Sequence, residues 1–196
     1  MPKNTWTVIT QSLDALRDAA AAIKEVNNDL PTPCSEWTVA QVLQHAVGDQ
    51  LAWAASLGVG DGPSENPFTP SGHMDGSVED LIEPALATAN LAWALVRRDN
   101  DEVPTPLPQG ALNADTATAA CALDAAVHAW DIAMALNLPS PLGDELATEL
   151  LPAARAVVEP LRQYGAYAAA LTPSPHDGSV AELLRYLGRD PSWTAE

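Results

Sequence analysis

The stretch Ala122-Leu-Asp-Ala-Ala-Val-His-Ala-Trp-Asp131 has the periodicity of an α-helix and carries a carboxylate and an imidazole on one face. Asp124 and His128 are four residues apart, which places two helical side chains about 40° apart in projection. Two groups held in this way can bind one divalent cation if a third ligand faces them. Three protein ligands with an open position are typical of a catalytic metal site rather than of a closed structural one.

His45 is the candidate third ligand, in a second helical stretch, Val42-Leu-Gln-His-Ala-Val-Gly48. A lone histidine in an apolar helix is more often a core residue than a ligand, so His45 is weak evidence by itself. Gly48, about one turn later, indicates close approach of another helix or of a ligand. The other two histidines, His73 and His176, lie in loops where exposure is expected.

Acidic residues near these candidates supply further hypotheses. Asp49, one turn after His45, is a rival ligand or an acceptor that holds a ligand. Polar residues also form one stripe at helical spacing on the other helix: Cys121, Asp124, His128 and Asp131. Such a stripe often faces solvent, but this one contains no Lys or Glu and is flanked by Trp130 and Met134. We therefore expect it to be buried.

Alanine-rich segments with a period near 3.6 dominate the rest of the chain, which predicts an all-α fold. Helices are expected at about residues 6–26, 38–57, 77–98, 114–137, 144–164 and 179–187. The first four predict a four-helix bundle and the rest a short helical C-terminal extension. We expect residues 1–196 to form a single domain.

Capping patterns and prolines set the expected helix boundaries. N-caps are predicted at Thr38, Ser77 and Ser179, and Gly188 is the expected C-cap of the last helix. Prolines are expected to kink, interrupt or begin helices at Pro84, Pro152 and Pro160.

The net charge of −17 on 196 residues makes nucleic acid and anionic membranes unsuitable partners. No run of about 18 apolar residues predicts a membrane span, and the N-terminus lacks a signal-peptide pattern. Two cysteines, Cys34 and Cys121, do not make a disulfide framework. These features favour a cytoplasmic location. Separately, an Ala-rich helix face could pair with a second copy of the chain to form a homodimer.

Four segments together resemble a known family. They are Pro31-Thr-Pro-Cys-Ser-Glu-Trp-Thr-Val-Ala-Gln-Val-Leu-Gln-His-Ala-Val-Gly48, Pro106-Leu-Pro-Gln-Gly110, His128-Ala-Trp-Asp-Ile-Ala133 and Leu187-Gly-Arg-Asp-Pro191. They are similar to DinB/YfiT-like proteins, in the branch that includes the N-terminal domain of mycothiol-dependent maleylpyruvate isomerase. The resemblance covers almost the whole chain.

This resemblance implies a four-helix bundle that holds a divalent metal, zinc or nickel. By position, His45, Asp124 and His128 match the family's ligands, with Asp124 where the isomerase-type pattern has Glu. Asp131 matches a family aspartate that we interpret as structural or as holding an imidazole N–H. Asp49 is a second candidate for such a supporting role.

The implied activity is thiol chemistry on a small molecule. A cation with an open position would bind a low-molecular-weight thiol of the mycothiol type and lower its pKa. The reaction would be S-transfer to a small electrophile or thiol-assisted isomerisation, with no catalytic side chain named beyond the metal centre. We expect the pocket mouth among the loops 58–76 and 99–113.

Two alternatives remain open. One is metal-assisted hydrolysis by a bound water, with Asp49 or Asp131 as the general base. The other is a non-enzymatic binding or stress-response module.

Overall fold

The computed structural model describes residues 6–195, and all regular structure in this range is helical apart from two isolated β-bridges. The helices are α1 (Thr7–Ala21), α2 (Val39–Ser56), α3 (Val78–Leu95), α4 (Ala114–Ala135), α5 (Asp144–Arg162) and α6 (Ser179–Tyr186), with a 3₁₀ turn at Glu25–Asn27. The predicted all-α class is confirmed. Within the same range, none of the helices has the length and apolar character of a membrane span.

The first four helices pack as a closed ring. α1 contacts both α3 and α4, and α2 contacts the same two helices. α5 packs on α4 outside this ring, and α6 packs on α5. This arrangement agrees with the predicted helical bundle and its helical C-terminal extension.

α4 is enclosed by α1, α2 and α5, and most of its residues are buried. A helix buried on every side has no broad polar face, which explains why α4 is mainly alanine with a few larger apolar residues. Its polar side chains are therefore surrounded by protein. His128 and Asp131 are buried and Asp124 is nearly so, which confirms that the polar stripe does not face solvent.

Two of the three predicted N-caps are observed. The Thr38 side chain and Gln41 form a reciprocal capping box at the start of α2. The Ser77 hydroxyl accepts from the Asp80 backbone N–H at 3.0 Å at the start of α3. The prediction for Ser179 was wrong by one residue, because Gly178 is the N-cap of α6 and the Ser179 hydroxyl bonds to that of Thr148.

The prolines of α5 do not interrupt it, contrary to prediction. Pro84 lies inside α3 and does not begin it, and α5 continues through Pro152 and Pro160. Pro84 and Pro152 are exposed and Pro160 is half-buried. On such a face, a carbonyl that loses its intrahelical donor can be hydrated, so the helix tolerates the ring.

The largest differences from the predicted helix ends are at α1, which ends at Ala21, and α3, which ends at Leu95. After α1, the Asn27 side chain accepts from the Lys24 backbone N–H at 2.9 Å, which favours a local turn over continued helix. α3 stops at Leu95 because Val96 is extended, with ψ 126°. Beyond it the Arg98 guanidinium lies over the Trp6 ring, 4.2 Å from its centroid.

Candidate metal centre

Three predicted ligands meet inside the bundle. His45 comes from α2, and Asp124 and His128 come from α4; their potential ligand atoms all lie within 4.8 Å of one another. The Nε2 atoms of both imidazoles are 3.4 Å from the same carboxylate oxygen, Asp124 Oδ1. The contact of α2 with α4 therefore brings together residues that are far apart in the sequence.

A loop carbonyl orients the His45 imidazole. Nδ1 of His45 lies 2.9 Å from the carbonyl oxygen of Pro67, which can only accept, so Nδ1 carries the proton. The other ring nitrogen, Nε2, then faces Asp124 Oδ1. Gly48 permits this contact, because a Cβ on it would lie 2.8 Å from Pro67 Cβ. The predicted close approach at Gly48 is thus made by a loop and not by another helix.

A carboxylate orients the His128 imidazole in the same way. Asp131 Oδ2 accepts from His128 Nδ1 at 2.9 Å. Asp131 is itself held by Arg189, which donates from Nε to Oδ1 at 2.9 Å and from Nη2 to Oδ2 at 2.7 Å. Asp131 is fully committed to these two partners, so it is not free to act as a general base.

Arg189 was not identified from the sequence. Its segment is one of the four that resemble the family, but that resemblance gave Arg189 no role, and Arg189 lies 58 residues from its partner in the chain. Gly188 was expected as the C-cap of the last helix, but Leu187 is the C-cap and Gly188 follows it with φ +82°, where the chain turns. Nothing in the local sequence indicates which carboxylate the following arginine meets.

The charges of the centre depend on one another. Burial alone would raise the pKa of Asp124, but the charge and hydrogen bonds of His128 and His45 hold that pKa well below its usual range. Burial alone would lower the pKa of His128, but Asp124 and Asp131 raise it to about 9. In the metal-free protein, a proton on His128 thus supplies the positive charge beside Asp124.

The residues fit a divalent cation. Asp124 Oδ2 is buried and has no hydrogen-bond partner, so one acceptor in the centre is unsatisfied. Tetrahedral ligands about 2.0–2.1 Å from zinc stand roughly 3.4 Å apart, which agrees with the 3.4 Å between each Nε2 and Asp124 Oδ1. Two imidazoles and one carboxylate form a possible metal-binding site.

Aromatic rings cover the imidazoles. The Trp37 ring lies 4.5 Å from that of His45 and 6.3 Å from that of His128, centroid to centroid. Phe68, whose side chain is largely exposed, lies 5.4 Å from His45. Trp37 therefore forms an apolar wall of the centre.

Two further side chains lie within electrostatic range of the centre. Burial and the charge of Asp131 raise the pKa of the Cys34 thiol to about 12. Burial and the charge of Asp124 also raise the pKa of Tyr167. Both groups are therefore neutral at physiological pH, and Tyr167 brings a hydroxyl from the C-terminal extension.

Asp49 lies beside the three grouped ligands and not among them. Its Oδ2 accepts from Trp53 Nε1 at 3.1 Å. Burial and the charge of Asp124 raise the pKa of Asp49 to about 7. This carboxyl can therefore exchange a proton near neutral pH.

Other candidates lie elsewhere. Cys121 is buried between Gln50 and Trp93, to which its sulfur is hydrogen-bonded. His73 is exposed and pairs with Asp75, and His176 is exposed, both as expected. Of the two loops predicted at the pocket mouth, 58–76 reaches the centre through Pro67 and Phe68. In the loop 99–113, Gln109 instead donates to the Val157 carbonyl on α5.

Comparison with known proteins finds a family model and relatives whose sequences match this chain. The family model of the mycothiol maleylpyruvate isomerase N-terminal domain matches residues 9–133, well over half of the chain. Two uncharacterized proteins of Mycobacterium tuberculosis, MT0763 and Rv0738, are each 35% identical to the chain over 165 residues. The alignments cover 81% of this chain and 83% of each relative. No solved structure gives a significant match.

Proposed function

Because the chain belongs to the family of the mycothiol maleylpyruvate isomerase N-terminal domain, we propose that it is a divalent-metal-dependent enzyme acting on a small molecule with a mycothiol-type thiol. The reaction would be transfer of the thiol sulfur to a small electrophile or thiol-assisted isomerisation. The observation that carries this proposal is that His45, Asp124 and His128 bring their potential ligand atoms within 4.8 Å of one another, while the second carboxylate oxygen, Asp124 Oδ2, is buried without a hydrogen-bond partner.

The donor set supports zinc or nickel with a fourth, anionic ligand. Imidazole nitrogen suits both metals, and three protein ligands leave a position open. One carboxylate neutralises only half the charge of a divalent cation. The remaining positive charge favours a thiol that binds as its thiolate, and a cation so placed would supply the lowered thiol pKa.

Side chains of the protein would then accept the thiol proton and limit the access of water. Asp49, with a pKa near 7, is the candidate acceptor for the proton that the thiol loses. Trp37 and Phe68 limit water access to the imidazoles and offer apolar surface to a substrate. Tyr167 offers a neutral hydroxyl that can donate to a developing negative charge on the substrate.

Hydrolysis is the second candidate, and the same observation on Asp49 favours it. A carboxyl group that titrates near pH 7 can also serve a water nucleophile as general base. The earlier alternative base, Asp131, is already engaged by Arg189 and His128. Only the identity of the nucleophile separates the two reactions.

A non-enzymatic module is the third possibility. Burying charged groups and leaving Asp124 Oδ2 without a partner costs stability. A helix pair that served only packing would be more stable with apolar residues at these positions. This cost supports a ligand-binding role for the centre.

The test is a screen of untagged, zinc- or nickel-loaded protein with mycothiol and an electrophilic aryl halide, with and without the thiol. We expect turnover that requires the thiol, is lost in His128→Ala, and persists in the exposed control His73→Ala. Conversion of ester or amide substrates without thiol would contradict thiol transfer and support hydrolysis. Metal-loaded protein that catalyses neither reaction would favour the binding module.

A further inference from the structure

A buried ion pair connects the C-terminal extension to the candidate metal centre. The Arg189 guanidinium contacts both oxygens of Asp131, at 2.9 and 2.7 Å. Arg189 is 7% exposed and Asp131 0%. Since Asp131 Oδ2 also accepts from His128 Nδ1, one guanidinium holds the carboxylate that holds a candidate ligand.

The turn after α6 delivers Arg189 to this position. The C-cap of α6 is Leu187, and Gly188 follows with φ +82°, a conformation that favours glycine. A Cβ on Gly188 would lie 2.8 Å from Ala168 Cβ and 2.9 Å from the carbonyl oxygen of Ala169. Gly188 therefore lets the chain turn closely against the segment that precedes α6.

Arg162 of α5 anchors this turn. Its guanidinium donates to the carbonyls of Ala168 and Tyr186, which lie on the two sides of the close approach. A backbone bond from Leu171 N–H to the Arg185 carbonyl, at 2.9 Å, joins the same two segments. These contacts fix the backbone next to Arg189, whose side chain extends into the bundle.

We propose that Arg189 is a positioning residue of the metal centre, which fixes the His128 ring with Nδ1–H on Asp131 and Nε2 towards Asp124. This inference rests on metal binding by His45, Asp124 and His128. A two-point contact between a planar guanidinium and a carboxylate fixes the plane of the carboxylate, which a single hydrogen bond does not. Well-packed apolar residues of similar volume often stabilise a protein more than a buried ion pair does. The presence of this ion pair therefore favours an orienting role over a purely structural one.

The test compares Arg189→Met with Arg155→Met. Arg155 forms an exposed ion pair with Glu182 in the same C-terminal extension, so it is a matched control. Zinc affinity is measured by competition with a chromogenic chelator, and ligand geometry by the visible spectrum of Co²⁺-loaded protein. We expect Arg189→Met to lose about 10- to 100-fold in affinity with an altered cobalt spectrum, and Arg155→Met to match the wild type.

A second variant distinguishes a loss of ligand positioning from a loss of folding. Arg189→Met leaves the charge of Asp131 buried and unpaired, whereas Asp131→Asn combined with Arg189→Met removes both charges. If Arg189 acts through Asp131, the double variant should bind zinc no more weakly than Asp131→Asn alone. An additional loss of affinity in the folded double variant would contradict a role through Asp131.

The outcomes separate this inference from the proposed function. Wild-type zinc affinity and cobalt spectrum in folded Arg189→Met would overturn the positioning role and leave the metal site intact. Failure of the wild type to bind metal would overturn the proposed function. The downfield ring N–H proton of His128 in metal-free protein would then be decisive: we expect its loss in Arg189→Met, and an unchanged resonance would refute the inference.

Discussion

His128 is the residue on which the charge of the centre depends. Its imidazolium neutralises Asp124 in the metal-free protein, because the neighbouring carboxylates raise its pKa to about 9. A ligating imidazole must lose that proton, so cation and proton compete for the same place. The metal-free and metal-loaded proteins should therefore respond differently to pH.

We predict that the free energy of unfolding of the metal-free protein falls as pH rises from 6.5 to 9. The folded-state pKa of His128, about 9, exceeds the ordinary value of 6.5, so the folded protein binds more protons in this window. The stabilisation is complete below pH 6.5 and is lost as pH rises through 9, by at most about 1.4 kcal/mol per pH unit. Urea denaturation in chelator measures this slope.

His128→Ala is the control for that experiment, since it should show a much smaller slope above pH 7. Asp49, whose pKa of about 7 is also raised, gives a change of the same sign at lower pH in both proteins. A wild-type stability that stays constant or increases from pH 7 to 9 would contradict the assignment of a proton to His128.

Single residues also show what the sequence could predict. Asp124 and His128 could be paired from their spacing, because residues four apart share a helix face. His45 could be named as the third ligand only on weak evidence, since its partners lie on another helix, and the family resemblance supported it. The roles of Arg189 and Pro67 depend on contacts between distant segments, at sequence separations of 58 and 22 residues. No local pattern encodes such contacts.

At the level of helices and loops, the packing of α2 against the loop 58–76 supports one ligand. The type of each helix was predictable from periodicity, and capping residues located the starts of α2 and α3. The continuation of α5 through two prolines was not, because it depends on which face is exposed. The contact between Gly48 and Pro67 is the element-scale feature that acts on the site.

We predict that Gly48→Ala weakens both the fold and metal binding. The added Cβ would overlap Pro67 Cβ at 2.8 Å and displace the carbonyl that orients His45. Such overpacking costs about 1–3 kcal/mol, against a gain of at most about 1 kcal/mol from alanine in a helix. Thermal unfolding and zinc affinity are the measurements, and both should decrease.

Gly76→Ala is the matched control, because its Cβ would have no heavy atom closer than 3.9 Å. It should leave zinc affinity unchanged. If Gly48→Ala bound zinc as tightly as Gly76→Ala, the loop would not be needed to orient His45.

At the scale of the whole molecule, the C-terminal extension is joined to the bundle. The family match ends at residue 133, yet α5 packs on α4, and Tyr167 and Arg189 approach the centre from beyond that point. The sequence predicted the extension as a helical addition. Its part in the centre could not be predicted, because it depends on the turn at Gly188.

We predict that the metal-free chain unfolds in one cooperative transition that includes the extension. The buried ion pair and the α4–α5 packing couple the two parts, so neither should melt alone. Calorimetry and the fluorine NMR resonance of Trp193 in fluorotryptophan-labelled wild-type protein should give the same midpoint. An earlier, separate transition of Trp193 would show that the extension is independent.

Metal content is the measurement that tests the central claim most directly. Elemental analysis of untagged wild-type protein should find about one equivalent of zinc or nickel, and His45→Ala and His128→Ala should lose it. His73→Ala, which alters an exposed histidine paired with Asp75, should keep it. Wild-type protein without metal even after reconstitution, or full occupancy in His128→Ala, would contradict the account.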